Sequence, residues 1–274
     1  MRPLRRQGQE INMTDNITNN LINKEHITII AGPCAIESWE QLDKTAKIVS
    51  SLGLSYLRGG AYKPRTSPYS FQGLEEKGLE FLKKVGEKYG LKTVTEVTDT
   101  INADIVAEYV DVLQIGTRNM SNFALLKKVG EIAFEKKKAV ILKRGWASSI
   151  KEWLLASEYL SLKGYVEVIL CERGIRTFDT NTRFTLDLAA VPVIRKLSKL
   201  PIIIDPSHAM GQSDLVTPMS RAAIAAGADG LIVETHNDPA NALCDGQQSL
   251  NPREMSELLK QIKGLASVIG KKVR

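Results

Sequence analysis

The feature that most constrains this chain is an alternation of eight short runs rich in Val, Ile and Leu with longer amphipathic stretches. The runs are His26–Ala31, Ser55–Arg58, Thr93–Glu96, Val112–Ile115, Ala139–Lys143, Val166–Cys171, Ile202–Asp205 and Leu231–Glu234. Such near-continuous apolar runs read as strands buried on both faces, the setting of a parallel sheet covered by helices. Between them, Leu74, Leu79, Phe81, Leu82 and Val85 predict a helix over Gly73–Tyr89. Leu186, Leu188, Val191 and Ile194 predict another over Arg183–Leu197. Repeated strand–helix units, eight in all, close naturally into a (β/α)8 TIM barrel; an open doubly wound sheet is the runner-up. At 274 residues and 43% hydrophobic content the chain suits a single barrel-sized domain over residues 26–274. Residues 1–25 are polar and lack an apolar period, which predicts a flexible or loosely docked extension.

A formal charge of +6 admits nucleic acid, an anionic membrane surface or anionic small substrates. Arg2, Arg5 and Arg6 are followed by no apolar segment, and no run approaches the roughly 18 apolar residues of a membrane span. A soluble, cytoplasmic protein is expected. Cys34, Cys171 and Cys244 are too few and too uneven for a disulfide framework, which fits a reducing compartment.

In a barrel of this kind the chemistry sits on the loops that follow the strands. Those loops read GPCAIES, RGGAYKPRTS, TEVTD, QIGTRN, LKRG, CERGIRTF, DPSHAMG and ETHNDP. A lone Arg after a strand is usually a surface ion-pair former of little energetic weight. Here Arg58, Lys63, Arg65, Arg118, Lys143 and Arg173 converge on one rim. Cations crowded in a low-dielectric mouth need anions between them, and organic phosphates and carboxylates are the obvious ones. Nucleic acid is set aside, because these loops show no aromatic interleaving and the chain has no recognisable binding module.

A second constellation, Cys34, His208, Glu234 and Asp245, follows the first, seventh and eighth strands, which become neighbours on closure. One thiolate, one imidazole and two carboxylates suit a divalent first-row ion such as Mn, Fe, Co or Zn at a catalytic site. The bland alternative makes Cys34 a small buried hydrophobe, His208 a packing residue and the carboxylates partners of the basic rim. Cys171 reads as an inert core residue. Cys244, beside Asp245, could reach Cys34 and pair with it on oxidation. His236 is either a proton carrier, a supporting group or a polar residue at the start of a helix, and His26 reads as structural.

GPCAIES, RGGAYKPRTSPYSFQG, QIGTRN, ILKRG, CERGIRTF, IDPSHAMG and VETHNDP together resemble the type I 3-deoxy-7-phosphoheptulonate (DAHP) synthases, beta subgroup, over residues 26–250. The related 3-deoxy-octulosonate 8-phosphate synthases share most of these motifs. They carry Lys-Ala-Asn-Arg in the loop after the second strand, where this chain has Lys63-Pro64-Arg65-Thr66-Ser67 and so is similar to the heptulosonate enzymes. The resemblance implies a metal-dependent condensation of phosphoenolpyruvate with erythrose 4-phosphate, the first step of the shikimate pathway towards chorismate and the aromatic amino acids. It implies Cys34, His208, Glu234 and Asp245 as metal ligands, and Arg58, Lys63, Arg118, Lys143 and Arg173 as a phosphoenolpyruvate clamp. Lys63, Pro64, Arg65 and Thr66 would hold the aldose phosphate, with Lys63 also transferring a proton. A homo-oligomer, dimer or tetramer, is implied too. Many members carry an added regulatory domain for which these 274 residues leave no room, so insensitivity to aromatic amino acids is expected. An octulosonate synthase using arabinose 5-phosphate and a non-catalytic binding barrel are the alternatives; the second should have lost a clamp or ligand residue, and none is missing.

Overall fold

Eight strands form where the apolar runs predict them, each end displaced by two residues or fewer. The computed structural model describes residues 21–274. The strands are β1 (His26–Gly32), β2 (Tyr56–Arg58), β3 (Lys92–Val97), β4 (Val112–Ile115), β5 (Ala139–Lys143), β6 (Val168–Glu172), β7 (Ile202–Ile204) and β8 (Gly230–Glu234). The first helices are α1 (Trp39–Ser51), α2 (Glu75–Tyr89), α3 (Ala103–Tyr109), α4 (Phe123–Lys136) and α5 (Ile150–Tyr159). There follow α6 (Ala190–Leu197), the short α7 (Pro206–Met210), α8 (Ser213–Ala225) and α9 (Pro252–Val268). Every strand pairs parallel with its neighbours, and β1 closes the ring against β8 in a register running from Thr28–Gly230 to Gly32–Glu234. A two-residue strand, β9 (Lys272–Val273), adds to the start of β1.

Alternation along the strands sorts the apolar residues into two layers. One set packs outward under the helices, among it Ile29, Leu57, Leu113, Leu142, Leu170, Ile204 and Leu231. The other fills the barrel interior: Ile30, Tyr56, Val94, Val112, Ile141, Ile169, Cys171, Ile203 and Ile232. The same period carries the interior face two residues further, to Arg58, Glu96, Gln114, Lys143, Arg173, Asp205 and Glu234. The polar floor of the site is thus the top layer of the barrel's own packing.

Leu21 closes the opposite end. It is 2% exposed and packs into the interior cluster. The backbone N–H groups of Leu21 and Ile22 donate to the Glu167 carboxylate at 3.2 Å each, and Thr28 Oγ1 donates to the Leu21 carbonyl. Of the extension expected over residues 1–25, the first twenty lie outside the described residues, and Leu21 at least is docked.

The helix expected over Arg183–Leu197 begins only at Ala190. The N–H groups of Arg183, Phe184 and Thr185 donate to the carbonyls of Met210, Ala209 and Ile175, so this stretch lies along its neighbours in place of coiling on itself. Asp187 accepts from the N–H of Ala190, the first residue of α6, while Leu186 and Leu188 pack on the core from the loop. The helix expected from Gly73 likewise starts at Glu75, because Gly73 (φ +99°) lies where a Cβ would stand 2.1 Å from the Ala61 carbonyl oxygen.

Candidate active site

The site is assembled at the carboxyl ends of the strands. A cavity of about 280 Å³ opens there, lined by Lys63, Pro64, Arg65, Thr66, Arg118, Lys143 and Arg173, together with Glu96, Trp146, Arg183, Phe184, His208 and Asp245. Of the expected clamp residues, Arg58 alone does not line it. Arg58 is buried, with Nη2 3.2 Å from Glu234 Oε1.

The cations are held by specific neighbours. Lys143 Nζ donates to Asp205 Oδ2 at 2.5 Å, both groups buried. Arg118 Nη2 reaches Thr66 Oγ1 at 3.4 Å, linking the loops after β4 and β2. The guanidinium carbons of Arg118 and Arg176 stand 5.1 and 4.5 Å from the Trp146 ring centre. Arg173 stacks on Phe184 at 4.0 Å. Such contacts hold a guanidinium flat without consuming all its donors. Nη1 of Arg173 and of Arg58 are buried without an acceptor among the described residues. Burial draws the Arg173 guanidinium down to about 10, with Asp205 offsetting it only in part and Arg183 adding repulsion. Charged donors in that state call for an anion.

Cys34, His208, Glu234 and Asp245 place their ligand atoms within 4.8 Å of one another. His208 is oriented by Asp205, which caps α7 through His208 N–H at 3.0 Å and lies 2.8 Å from ring Nδ1. Burial favours neutral His208; it would push Asp205 up, but His208 and Lys143 outweigh it and hold that carboxylate well below its ordinary range. With its proton on Nδ1 toward Asp205, the ring turns an Nε2 lone pair towards Glu234 Oε1 at 3.3 Å and Asp245 Oδ2 at 3.9 Å. Glu234 Oε1 is buried and accepts no hydrogen bond. Converging lone pairs with no proton between them fit a cation.

Cys34 Sγ completes the set, 3.3 Å from Asp245 Oδ2 and 3.0 Å from Lys63 Nζ. The Cys244 sulfur stands 3.2 Å from it, with Arg65 against its other side. The shared thiol hydrogen bond raises Cys34 well above the ordinary thiol range and brings Cys244 down to about 7. A cation would reverse that order by favouring the Cys34 thiolate. Lys63 remains an ammonium: burial opposes its charge, and the two sulfurs more than offset that, raising it above its ordinary value.

Cys171 is sealed in the barrel interior, its thiol raised by burial. His236 is buried beside the site, accepting Asp238 N–H on Nδ1, with Nε2 3.5 Å from Glu37. His26 pairs with Asn23 at the opposite end. Neighbours of the cavity or cluster that escaped the sequence reading include Glu96, Trp146, Arg183, Phe184, Asp205 and Gln248. Strand alternation marks Glu96 and Asp205; Trp146, Arg183 and Gln248 lie on irregular loops, where no periodicity points.

A closed β/α barrel with a cationic cavity and a Cys–His–Glu–Asp cluster at its carboxyl-end face defines a barrel enzyme for anionic substrates with a candidate metal centre. The chain belongs to the DAHP synthetase I family, whose model matches residues 12–271. It is 55% identical over 252 residues to phospho-2-dehydro-3-deoxyheptonate aldolase of Thermotoga maritima, covering 92% of this chain and 73% of the relative. A crystal structure of the Thermotoga maritima DAHP synthase superposes with a TM-score of 0.88 at 53% identity, covering 92% of this chain and 72% of that one. A truncated form of the same organism's 3-deoxy-D-arabino-heptulosonate 7-phosphate synthase gives 0.85 at 52%, covering 92% and 91%. The 2-dehydro-3-deoxyphosphooctonate aldolase of Xylella fastidiosa is 33% identical, over 89% of this chain and 92% of the relative. Among the described residues, no helix is long and apolar enough to cross a membrane.

Proposed function

We propose that this chain condenses phosphoenolpyruvate with D-erythrose 4-phosphate and water to give 3-deoxy-D-arabino-heptulosonate 7-phosphate and inorganic phosphate, the first step of the shikimate pathway. The observation that carries the reading is the meeting of the cationic loops after β2, β4, β5 and β6 with the cluster from β1, α7 and β8, in a chain of this family.

Phosphoenolpyruvate carries about three negative charges and the aldose phosphate about two, since the second pKa of a phosphate monoester lies near 6. Arg118, Lys143 and Arg173 hold the phosphoenolpyruvate, and the unpaired Nη1 of Arg173 is a ready donor for its oxygens. Arg58, braced on Glu234 below the cavity, adds positive potential there. Arg65, with Thr66 beside it and Pro64 stiffening the turn, seats the aldose phosphate. Neutralising and orienting both anions sets C3 of the enol against the aldehyde carbon in a near-attack geometry. The C3–C1 bond forms as the aldehyde oxygen takes a proton from the Lys63 ammonium. Water then adds at C2, its first proton restoring the Lys63 ammonium, and the phosphohemiketal forms the C2 carbonyl as the bond from C2 to the phosphate oxygen breaks, the hydroxyl proton leaving with the phosphate. Cys34, His208, Glu234 and Asp245 would hold a divalent ion, which when bound supplies Lewis acidity towards the aldehyde oxygen or an attacking water.

The test is phosphate release and product mass with both substrates, before and after chelation. Turnover that disappears with chelator and returns with Mn²⁺ or Co²⁺ is expected. No heptulosonate product from metal-replete protein overturns the function, and full activity in metal-free protein overturns the ligand assignment.

A further inference from the structure

Each of the two carboxylates of the cluster has one oxygen held from outside the ligand set by the same pair of side chains. Gln248 lies on the single turn Gly246–Gln248 that follows Asp245, and it is fully buried. Its Nε2 donates to Glu234 Oε2 at 2.6 Å, and its Oε1 accepts from Arg183 Nη1 at 2.8 Å. The same Nη1 stands 3.4 Å from Asp245 Oδ1. Turning the amide over would set N–H against guanidinium and carbonyl against carboxylate, so both neighbours enforce one orientation.

The remaining oxygens face the cluster, that of Glu234 with the Arg58 guanidinium also 3.2 Å away. Glu234 Oε1 lies 3.3 Å from His208 Nε2, and Asp245 Oδ2 lies 3.3 Å from Cys34 Sγ. We infer that Arg183 and Gln248 form a brace that takes up one oxygen of each carboxylate and so fixes which single oxygen each presents to a bound cation. The inference rests on reading the cluster as a cation site.

The brace also steadies the backbone. Asp245 sits at φ +53°, a left-handed conformation unusual for a residue with a side chain, and its carbonyl accepts from Gln248 N–H and Ser249 Oγ. Arg183 is anchored in turn by its own N–H, which donates to the Met210 carbonyl on the turn that carries His208. One hydrogen-bonded path therefore joins the loops after β6, β7 and β8, and three of the four cluster residues hang on it. Arg183 and Gln248 are positioning residues: they act through Glu234 and Asp245. Loss of outer partners of this kind typically weakens metal binding about 10- to 100-fold.

The test titrates Co²⁺ into metal-free wild type, Gln248→Met, Arg183→Met and Arg183→Lys, reading affinity and visible absorption. Wild type should show a thiolate-to-cobalt charge-transfer band from Cys34 together with d–d bands. Gln248→Met and Arg183→Met should keep the charge-transfer band, shift the d–d bands as the carboxylates change coordination, and raise the dissociation constant about 10- to 100-fold. Arg183→Lys, which keeps the charge, should recover most of the affinity. Arg183 is 39% exposed, so its variants answer the question even where Gln248→Met fails to fold by far-UV circular dichroism. Wild-type affinity and d–d bands in the Met variants overturn the brace, as does weaker binding with unshifted d–d bands, which would be general loosening. A wild type without the charge-transfer band overturns the cluster reading itself.

Discussion

Two groups of side chains at the site make separable demands. Lys63 and Arg118 line the cavity and on the proposed function contact substrate, so Lys63→Ala and Arg118→Ala should each lower kcat/KM for phosphoenolpyruvate about a hundredfold, roughly 2.7 kcal/mol of transition-state stabilisation. Steady-state kinetics near wild type for either would remove that residue from the clamp. Arg58 lies beneath, paired with a fully buried Glu234. Arg58→Met leaves that carboxylate without its partner, which should cost about 3–5 kcal/mol in denaturant unfolding of the metal-free protein at neutral pH. Unchanged stability would mean that Glu234 takes up a proton without difficulty or is compensated from elsewhere. The four cluster residues and the cationic rim were legible in the sequence because each follows a strand whose apolar run is unmistakable. Asp205 was visible in IDPSHAMG too, three residues before His208, but its task depends on the α7 turn that aims it at Nδ1. Gln248 and Arg183 had no such mark: an amide on a single turn and an arginine inside an expected helix look ordinary until the fold brings them together.

Among the elements, the strands were readable and one helix was not, for a physical reason. A strand of this barrel is apolar on both faces, so its composition alone announces it. Leu186 and Leu188 are spaced as on a helix yet pack on the core from a loop, because Arg183–Thr185 find their hydrogen-bond partners on neighbouring segments. Tertiary pairing overrides a local period there, and the result is useful, since it directs Arg183 and Phe184 into the cavity. The amino-terminal segment offers a second case. Leu21 stands in a polar stretch with no period around it, yet it fills the open end of the barrel and touches the interior cluster. Leu21→Ala should therefore destabilise the fold by about 2–5 kcal/mol, the range for a buried leucine whose space cannot fully collapse. Equilibrium urea unfolding measures it, and a change below about 0.5 kcal/mol, typical of a surface position, would show that the segment only rests on the barrel.

At the scale of the whole molecule, cations from several loops are gathered around one small cavity. The relatives of this chain include both a heptulosonate and an octulosonate enzyme. The choice between them rests on length. Pro64 and Arg65 line the cavity on the loop after β2, and Asp245 and His208 line it from the cluster side, so on the proposed function the barrel sets the span from sugar phosphate to aldehyde. On the proposed function that span fits four carbons, so a five-carbon sugar should misplace either its phosphate or its aldehyde, and about 1 Å of misplacement can cost a hundredfold. The most direct measurement compares kcat/KM for erythrose 4-phosphate and arabinose 5-phosphate at saturating phosphoenolpyruvate and metal, with phosphate release as readout and product length confirmed by mass. Erythrose 4-phosphate should be preferred by about a hundredfold or more; equal or better use of arabinose 5-phosphate would contradict the assignment of this chain as a heptulosonate synthase.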